Sequence, residues 1–234
     1  QYASTDISLR DSYTAFPLYY RIIDRVNRVL EALPNVKATT AAQEATKNRV
    51  RGEALFLRAF CHFELYRFYS NTADGSALAV AYMETPSLLP VARMTVAPFF
   101  AKLNADLVAA KALLPTTNAD IYRASRHAAT ALQARAALYA KDYANAATFA
   151  TEYIAAFPLA SRTNFPLIWK DANNSEVAFK LSRTTTAGGR IGALYRGTSA
   201  NAANIGTITW RPTQALLNAY DQVNDIRYAA YFFE

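Results

Sequence analysis

The chain has 234 residues, 52% of them hydrophobic and 18% charged, with a formal net charge of +7. This balance excludes a chain disordered throughout and a stapled mini-protein, and it supports a substantial packed core. The 25 Lys and Arg residues are scattered, with no run of five or six, so a solvated, ion-paired surface accounts for the charge better than a nucleic-acid footprint does.

In chain order, Tyr19, Ile22, Ile23, Val26, Val29, Leu30 and Leu33 recur three and four apart. They predict one face of a helix that has Pro17 near its first turn and ends before Pro34. Thr40 with Gln43 has the spacing of a capping box, which predicts the start of a long helix running to about Tyr69. That helix carries two apolar stripes, Val50, Ala54, Leu57, Cys61 and Phe68 on one flank and Phe56, Ala59 and Phe63 on another. Between them lie Arg51, Arg58 and His62, and Arg49, Glu53, Glu64 and Arg67, where partners three or four apart are expected to pair. A helix buried on two sides is sandwiched between neighbours. Gly52 within it implies another backbone passing close.

Residues 71–90 read as a loop, with 77–82 a short element inside it. A third helix is predicted from Val96 to Leu114, ended by Pro115, and then a helical pair from Ser125 to Ala140 and from about Asp142 to Phe157. Tyr143, Ala146, Ala147, Ala150, Ile154 and Phe157 are the expected inward residues of the second member. The pair is about one 34-residue tetratricopeptide unit long. The fold class read from this pattern is mainly α, a tetratricopeptide-like helical repeat with a small irregular region. After Pro158, the alternation Glu176-Val177-Ala178-Phe179-Lys180-Leu181 predicts a short strand. Residues 184–206 hold five of the seven glycines and read as a long loop, followed by a last helix from about Pro212 to residue 230. The core is therefore expected over about 13–157, the loop-rich region over about 158–211, and the whole as a single helical domain. Ending on Tyr231-Phe232-Phe233-Glu234 leads to the expectation of further chain in the native protein.

Candidate chemistry is sparse. His62 and His127 are the only histidines, and His62 falls on the opposite side of its helix from Glu53 and Glu64, so no metal site is expected. Cys61, the single cysteine, excludes an intramolecular disulfide and sits in an apolar stripe, as a small buried hydrophobe would. Gly188-Gly189-Arg190-Ile191-Gly192 lacks the spacing of a phosphate loop. No window of about 18 apolar residues reads as membrane-spanning. Sugar binding asks for aromatic faces with nearby amides or guanidinium groups, which Trp169, Asn173, Asn174, Tyr195, Trp210, Arg211 and Tyr82 can supply.

The segment Arg51-Gly52-Glu53-Ala54-Leu55-Phe56-Leu57-Arg58-Ala59-Phe60-Cys61-His62-Phe63-Glu64-Leu65-Tyr66-Arg67-Phe68-Tyr69 resembles the "GEA-x-FLRA-x-x-x-F-x-L-x-x-x-Y" helix of the SusD/RagB family. Tyr20-Arg21-Ile22-Ile23 with Asn27 resembles the family's "Y-x-x-I-x-x-x-N" helix, and Arg93 to Pro115, with Asp106-Leu107, its "R-x-TV…DL-x-x-A-x-x-LLP" segment. Ser125 to Ile154, Asn174 to Phe179, and Arg211 through Arg227 resemble, in order, its "AA-x-AL-x-AR-x-x-LY", "NSEVIF" and "RP-T-x-x-LL-x-AY…D-x-R" stretches. The resemblance implies a glycan- or nutrient-capturing lipoprotein of Bacteroidetes-type bacteria, exposed at the outer-membrane surface and seated on a SusC-like TonB-dependent transporter. It implies no catalysis, no cofactor, no nucleic acid, and membrane attachment only through an N-terminal lipid anchor. The anchor and the family's C-terminal portion are expected outside this chain. Two other classes of function are weighed against it: a helical-repeat scaffold holding a protein or peptide, and, last, a hydrolase using Glu53 or Glu64.

Overall fold

The computed structural model describes residues 15–70, 76–116, 120–182 and 212–232. The chain divides into two compact units, Gln1–Ala156 and Phe157–Glu234. In the first, α1 (Ala15–Ala32), α2 (Ala41–Tyr69), α3 (Val96–Leu113), α4 (Arg126–Tyr139) and α5 (Tyr143–Ala156) follow one another, with a 3-10 turn at Leu33–Asn35. Successive helices pack on one another, α1 on α2, α2 on α3, α3 on α4 and α4 on α5, which is the mainly α, repeat-like architecture expected.

Local chemistry sets the helix ends. The Thr40 side chain accepts from the Gln43 backbone N–H and Gln43 reaches back to the Thr40 N–H, so the predicted capping box opens α2. Ser125 caps α4 by accepting from Ala128 N–H, and Asp142 accepts from Asn145 N–H at the start of α5. Between those two helices Lys141 takes a positive φ of 61°, and the Asp142 N–H bonds to Ala137 O, closing α4 with a left-handed turn.

α2 is the axis of the unit. From Gly52 to Tyr66 it buries Phe56, Ala59, Cys61, Phe63, Leu65 and Tyr66 on several sides, against Phe99, Leu103, Leu107 and Ala110 of α3 and Ile23 and Val26 of α1. Of the stripe Arg51, Arg58 and His62, expected to pair along the helix, Arg51 is exposed but the other two are buried: Arg58 is 7% exposed and His62 fully enclosed. Phe68, assigned to an apolar stripe, is exposed. Gly52 is crowded as expected, but by side chains and not by backbone. A Cβ there would lie 2.9 Å from Leu114 Cγ and 3.1 Å from Leu113 Cβ.

The segment from Ala77 to Met94 returns from the α2 end towards α3. Its one pairing is an isolated antiparallel bridge between Leu78 and Thr95, yet Ala79, Val80, Ala81 and Tyr82 are all buried. Side chains take the place of a sheet partner. Tyr20 OH donates to Ala81 O, Asn27 Nδ2 to Met83 O, Arg58 Nη1 to Glu84 O, and Arg93 Nε and Nη2 to Ala79 O and Leu78 O. The Met83 N–H donates to His62 Nε2 at 2.9 Å. His62 Nδ1 faces Arg58 O at 2.8 Å, so this nitrogen carries the proton and Nε2 is the acceptor. Burial pushes the imidazole pKa down to about 3.

The outer helices are covered less than periodicity predicts. Ile22 and Val29 of α1 are exposed. Tyr143 and Ile154 of α5 also face solvent, because α5 is the last helix of the unit and α4 is its main cover.

In the second unit α6 (Phe165–Trp169), α7 (Gln214–Asn218) and α8 (Ile226–Tyr231) are short. The single helix expected over 212–230 is two helices, because Asp221 accepts from the N–H groups of Val223 and Asn224 and turns the chain between them. Residues 176–181 form no strand. Glu176 has a φ of 68° and its carboxylate accepts from Ala160 N–H at 2.6 Å, while Lys180 pairs with Asp171; no second strand among the described residues offers a ladder. Residues 184–206 lie outside the described residues.

Two outcomes follow. Gly52→Ala gains about 1 kcal/mol of helix propensity but forces Leu113 and Leu114 apart, and overpacking of this kind costs about 1–3 kcal/mol. The variant therefore shows a lower midpoint in urea denaturation than the parent. For His62 the folded pKa lies below the unfolded value of 6.5, so the unfolded state takes up the proton first. Its contribution is complete above about pH 6.5 and is lost as the pH falls towards 3, with a slope of up to about 1.4 kcal/mol per pH unit. Denaturation curves across that window are steeper in pH for the parent than for His62→Gln, which keeps an acceptor for Met83 but does not titrate.

Candidate ligand-binding surfaces

In the first unit a cleft of about 510 Å³ opens between α1, the end of α2 and residues 80–93. α1 supplies Phe16 and Tyr20 one turn apart, and their rings sit 4.9 Å centre to centre. Tyr69, the last residue of α2, meets Phe16 edge-on at 5.1 Å. Leu89 and Val91 form the facing rim, and Asp24, Thr85 and Ser87 bring oxygen atoms to it. Several polar groups here are already engaged: both ends of the Asn27 amide, the Arg93 guanidinium, and Ser87 Oγ, which accepts from Leu89 N–H. Among the described residues Asp24 is held only by the exposed Arg28, at 2.8 Å. The volume falls within the usual range for small-ligand clefts, and an aromatic wall beside a carboxylate and hydroxyls suits a ring with one apolar and one hydroxylated face. Sequence reasoning missed this cleft. Its aromatic residues, Phe16, Tyr20 and Tyr69, fall outside the apolar stripes read from periodicity, and their partners across the cleft come from residues 80–93.

A smaller cavity of about 220 Å³ lies against α3, α4 and α5, lined by Phe100, Asn104, Gln133 and Phe149. Its amides satisfy one another, with Gln133 Nε2 donating to Asn104 Oδ1 at 2.9 Å.

The second unit carries an aromatic group at the surface. Trp169 is 58% exposed, meets Tyr231 edge-on at 4.8 Å and lies 6.2 Å from Phe165. Asn173, four residues on, accepts from Ser175 N–H at 2.7 Å, and Asn174 Oδ1 accepts from Lys180.

Of the residues selected from sequence, Trp169 and Asn173 are thus in one unit and partly accessible. Tyr82 belongs to the core: 7% exposed, it stacks on His62 at 3.8 Å and donates its hydroxyl to Asp106 at 2.6 Å. Burial, and then the neighbouring Asp106 charge, raises its pKa well above the usual phenol value, which keeps it a donor. The loop reading of 71–90 had placed it outside, because the side chains that bury this stretch come from distant helices. Tyr195, Trp210 and Arg211 lie outside the described residues.

Other candidate chemistry is committed to packing. Glu53 is held by both ends of its carboxylate on Arg123, at 2.6 and 2.9 Å, and Glu64 by Arg67 at 2.7 Å, with Arg135 at 3.8 Å. Burial pushes the Cys61 thiol up to about 12, as befits a buried hydrophobe. Among the described residues no three His, Cys, Asp or Glu side chains converge as a metal site, and no helix is long and apolar enough to cross a membrane.

The fold is that of solved SusD-like proteins. A SusD superfamily protein from Bacteroides thetaiotaomicron VPI-5482 is 26% identical, with a TM-score of 0.62 over 71% of this chain and 38% of its own. A candidate sugar-binding protein from Bacteroides vulgatus ATCC 8482 is 24% identical, with a TM-score of 0.69 over 78% of this chain and 44% of its own. A laminarin-binding SusD-like protein is 22% identical, with a TM-score of 0.56 over 69% of this chain and 36% of its own. The chain thus spans less than half the length of each of these structures. No curated protein matches it. Residues 1–138 match the SusD-like_3 family, described as starch-binding and associating with the outer membrane, and the chain belongs to that family.

Proposed function

We propose that this chain captures an oligosaccharide at the outer-membrane surface and delivers it, unaltered, to a SusC-like TonB-dependent transporter. The observation that carries this reading is the family match over residues 1–138, with its starch-binding and membrane-associated description. The laminarin-binding relative of the same fold adds support for a glucan. In this reading a lipid anchor outside residues 1–234 tethers the protein, in keeping with the family's description as associating with the outer membrane. The reading assigns no catalytic step: the protein holds the sugar and the transporter moves it.

Two surfaces are suited to the sugar. Trp169, 58% exposed and braced edge-on by Tyr231, offers an indole face whose orientation is fixed before ligand arrives. Asn173 is near it in sequence and could address hydroxyls. The cleft at Phe16 and Tyr20 is the second surface, with Asp24 as its carboxylate. Tyr195, Trp210 and Arg211 remain proposed contributors on the strength of their residue types.

Calorimetric titration of the chain with malto-oligosaccharides and laminari-oligosaccharides, backed by a glycan array, tests the reading. Binding of at least one glucan is expected, and Trp169→Ala or Phe16→Ala weakens it about tenfold, equivalent to ~1.4 kcal/mol, with the helical circular dichroism unchanged. A folded chain that binds no saccharide in either assay overturns the sugar-capture reading. Pull-down of soluble proteins with no transporter among them overturns the delivery step in favour of a protein-binding scaffold.

A further inference from the structure

α1 has a third face that neither the core nor the cleft uses. Going round the helix at 100° per residue, the buried side of Ile23 and Val26 gives way to Ile22, Val29 and Leu18. These three are exposed by 39%, 41% and 49%. Next come Arg25, Arg21 and Arg28, all exposed. The acidic residues of the helix, Asp24 and Glu31, fall beyond Arg28, on the far flank. The outer surface of α1 is therefore an apolar band lying directly beside a basic band, with no acid between them. Neither Arg21 nor Arg25 makes a hydrogen bond or ion pair among the described residues. Arg28 is joined to Asp24 in a surface pair that contributes little.

We propose that this face of α1 lies on an anionic lipid surface. The three guanidinium groups would meet headgroup phosphates, while Leu18, Ile22 and Val29 enter the boundary between headgroups and acyl chains. The pattern is that of an interfacial helix, in which apolar and basic strips run parallel to the axis so that both engage one plane at once. From Arg21 to Arg28 the basic strip extends about 10 Å along the axis, so it addresses several headgroups and not a single ion. The adjoining apolar strip is what favours lipid over an acidic protein or polysaccharide, which would satisfy the arginines but leave those side chains in water. The far side of α1 is pinned by Tyr20 and Asn27 to the buried segment at residues 81–83, so the face is presented on a fixed helix. The proposal rests on this helix face and is independent of sugar binding.

Flotation of the chain with vesicles of phosphatidylcholine alone, and of phosphatidylcholine mixed with phosphatidylglycerol, tests it, with circular dichroism confirming that each variant is folded. Binding is expected to the mixed vesicles only and to fall at high salt. Arg21→Gln with Arg25→Gln lowers the partition coefficient about thirtyfold, from the typical contribution per basic residue near an anionic surface. Leu18→Gln with Ile22→Gln lowers it about tenfold at unchanged charge. No binding to the anionic vesicles, equal binding to both compositions, or arginine variants indistinguishable from the parent overturns the proposal. So does retention on heparin that depends on Arg21 and Arg25 while the apolar variant still floats like the parent, which identifies an acidic polymer as the partner instead.

Discussion

The first unit is organised around one buried ion pair. Arg58 of α2 and Asp106 of α3 meet through two parallel contacts of 2.6 Å, at 7% and 6% exposure. Removing two such ions from water costs several kcal/mol each, and attraction between them offsets this only when the remaining donors and acceptors are also satisfied. Here they are. Arg58 Nη1 donates to Asn27 Oδ1 of α1 and to Glu84 O, both at 3.0 Å, and Asp106 Oδ2 takes a further bond from Tyr82 OH. Leaving one ion of such a pair unpartnered costs about 3–5 kcal/mol, so any packing of α1, α2 and α3 that separates these groups carries a large penalty. Apolar contacts between the same helices tolerate small slips; this bidentate geometry does not.

The pair also explains how irregular backbone can lie in the interior. Connecting segments run over protein surfaces because their N–H and C=O groups need partners. Between Leu78 and Glu84 those partners are side chains from α1 and α2 and from Arg93. His62 takes part only in its neutral form, since a proton on Nε2 would oppose the Met83 N–H across 2.9 Å. The segment continues into the wall of the cleft facing Phe16 and Tyr69, so the same bonds that bury residues 79–82 fix one side of that cleft. Core and candidate site thus share a set of polar contacts.

Helix bounds were largely legible in the sequence because they depend on neighbours in the chain: Thr40 with Gln43, Ser125 with Ala128, Pro34 and Pro115 as stops. Arg58 was not, because periodicity sorts residues by polarity and sends a charged stripe to solvent; its partner is 48 residues away. The signal lay in the family stretches. Their polar positions Tyr20, Asn27, Arg58, Arg93 and Asp106 either hold the 77–84 segment or brace a residue that does. Tyr82 was misplaced for the same reason, as a loop residue whose burial is decided elsewhere in the chain. The alternation at 176–181 failed differently: a strand pattern needs a second strand, and Glu176 is committed to a turn by its contact with Ala160. Trp169 was found by residue type alone, and its surface position reflects the short helices of the second unit, which leave none of their own residues buried.

α1 shows how one helix serves three surroundings. Ile23 and Val26 enter the core, Phe16 and Tyr20 line the cleft, and Leu18, Ile22 and Val29 remain exposed. Its apolar arc is wider than the neighbouring helices cover. Such an excess in a helix free to rock would cost ordering entropy whenever a partner engaged it. Asn27 removes that freedom, because its amide is held at once by Arg58 and by Met83 O. The buried ion pair therefore acts beyond stability: through Asn27 it fixes the rotation of α1, and with it which residues of that helix face the cleft and which face outward.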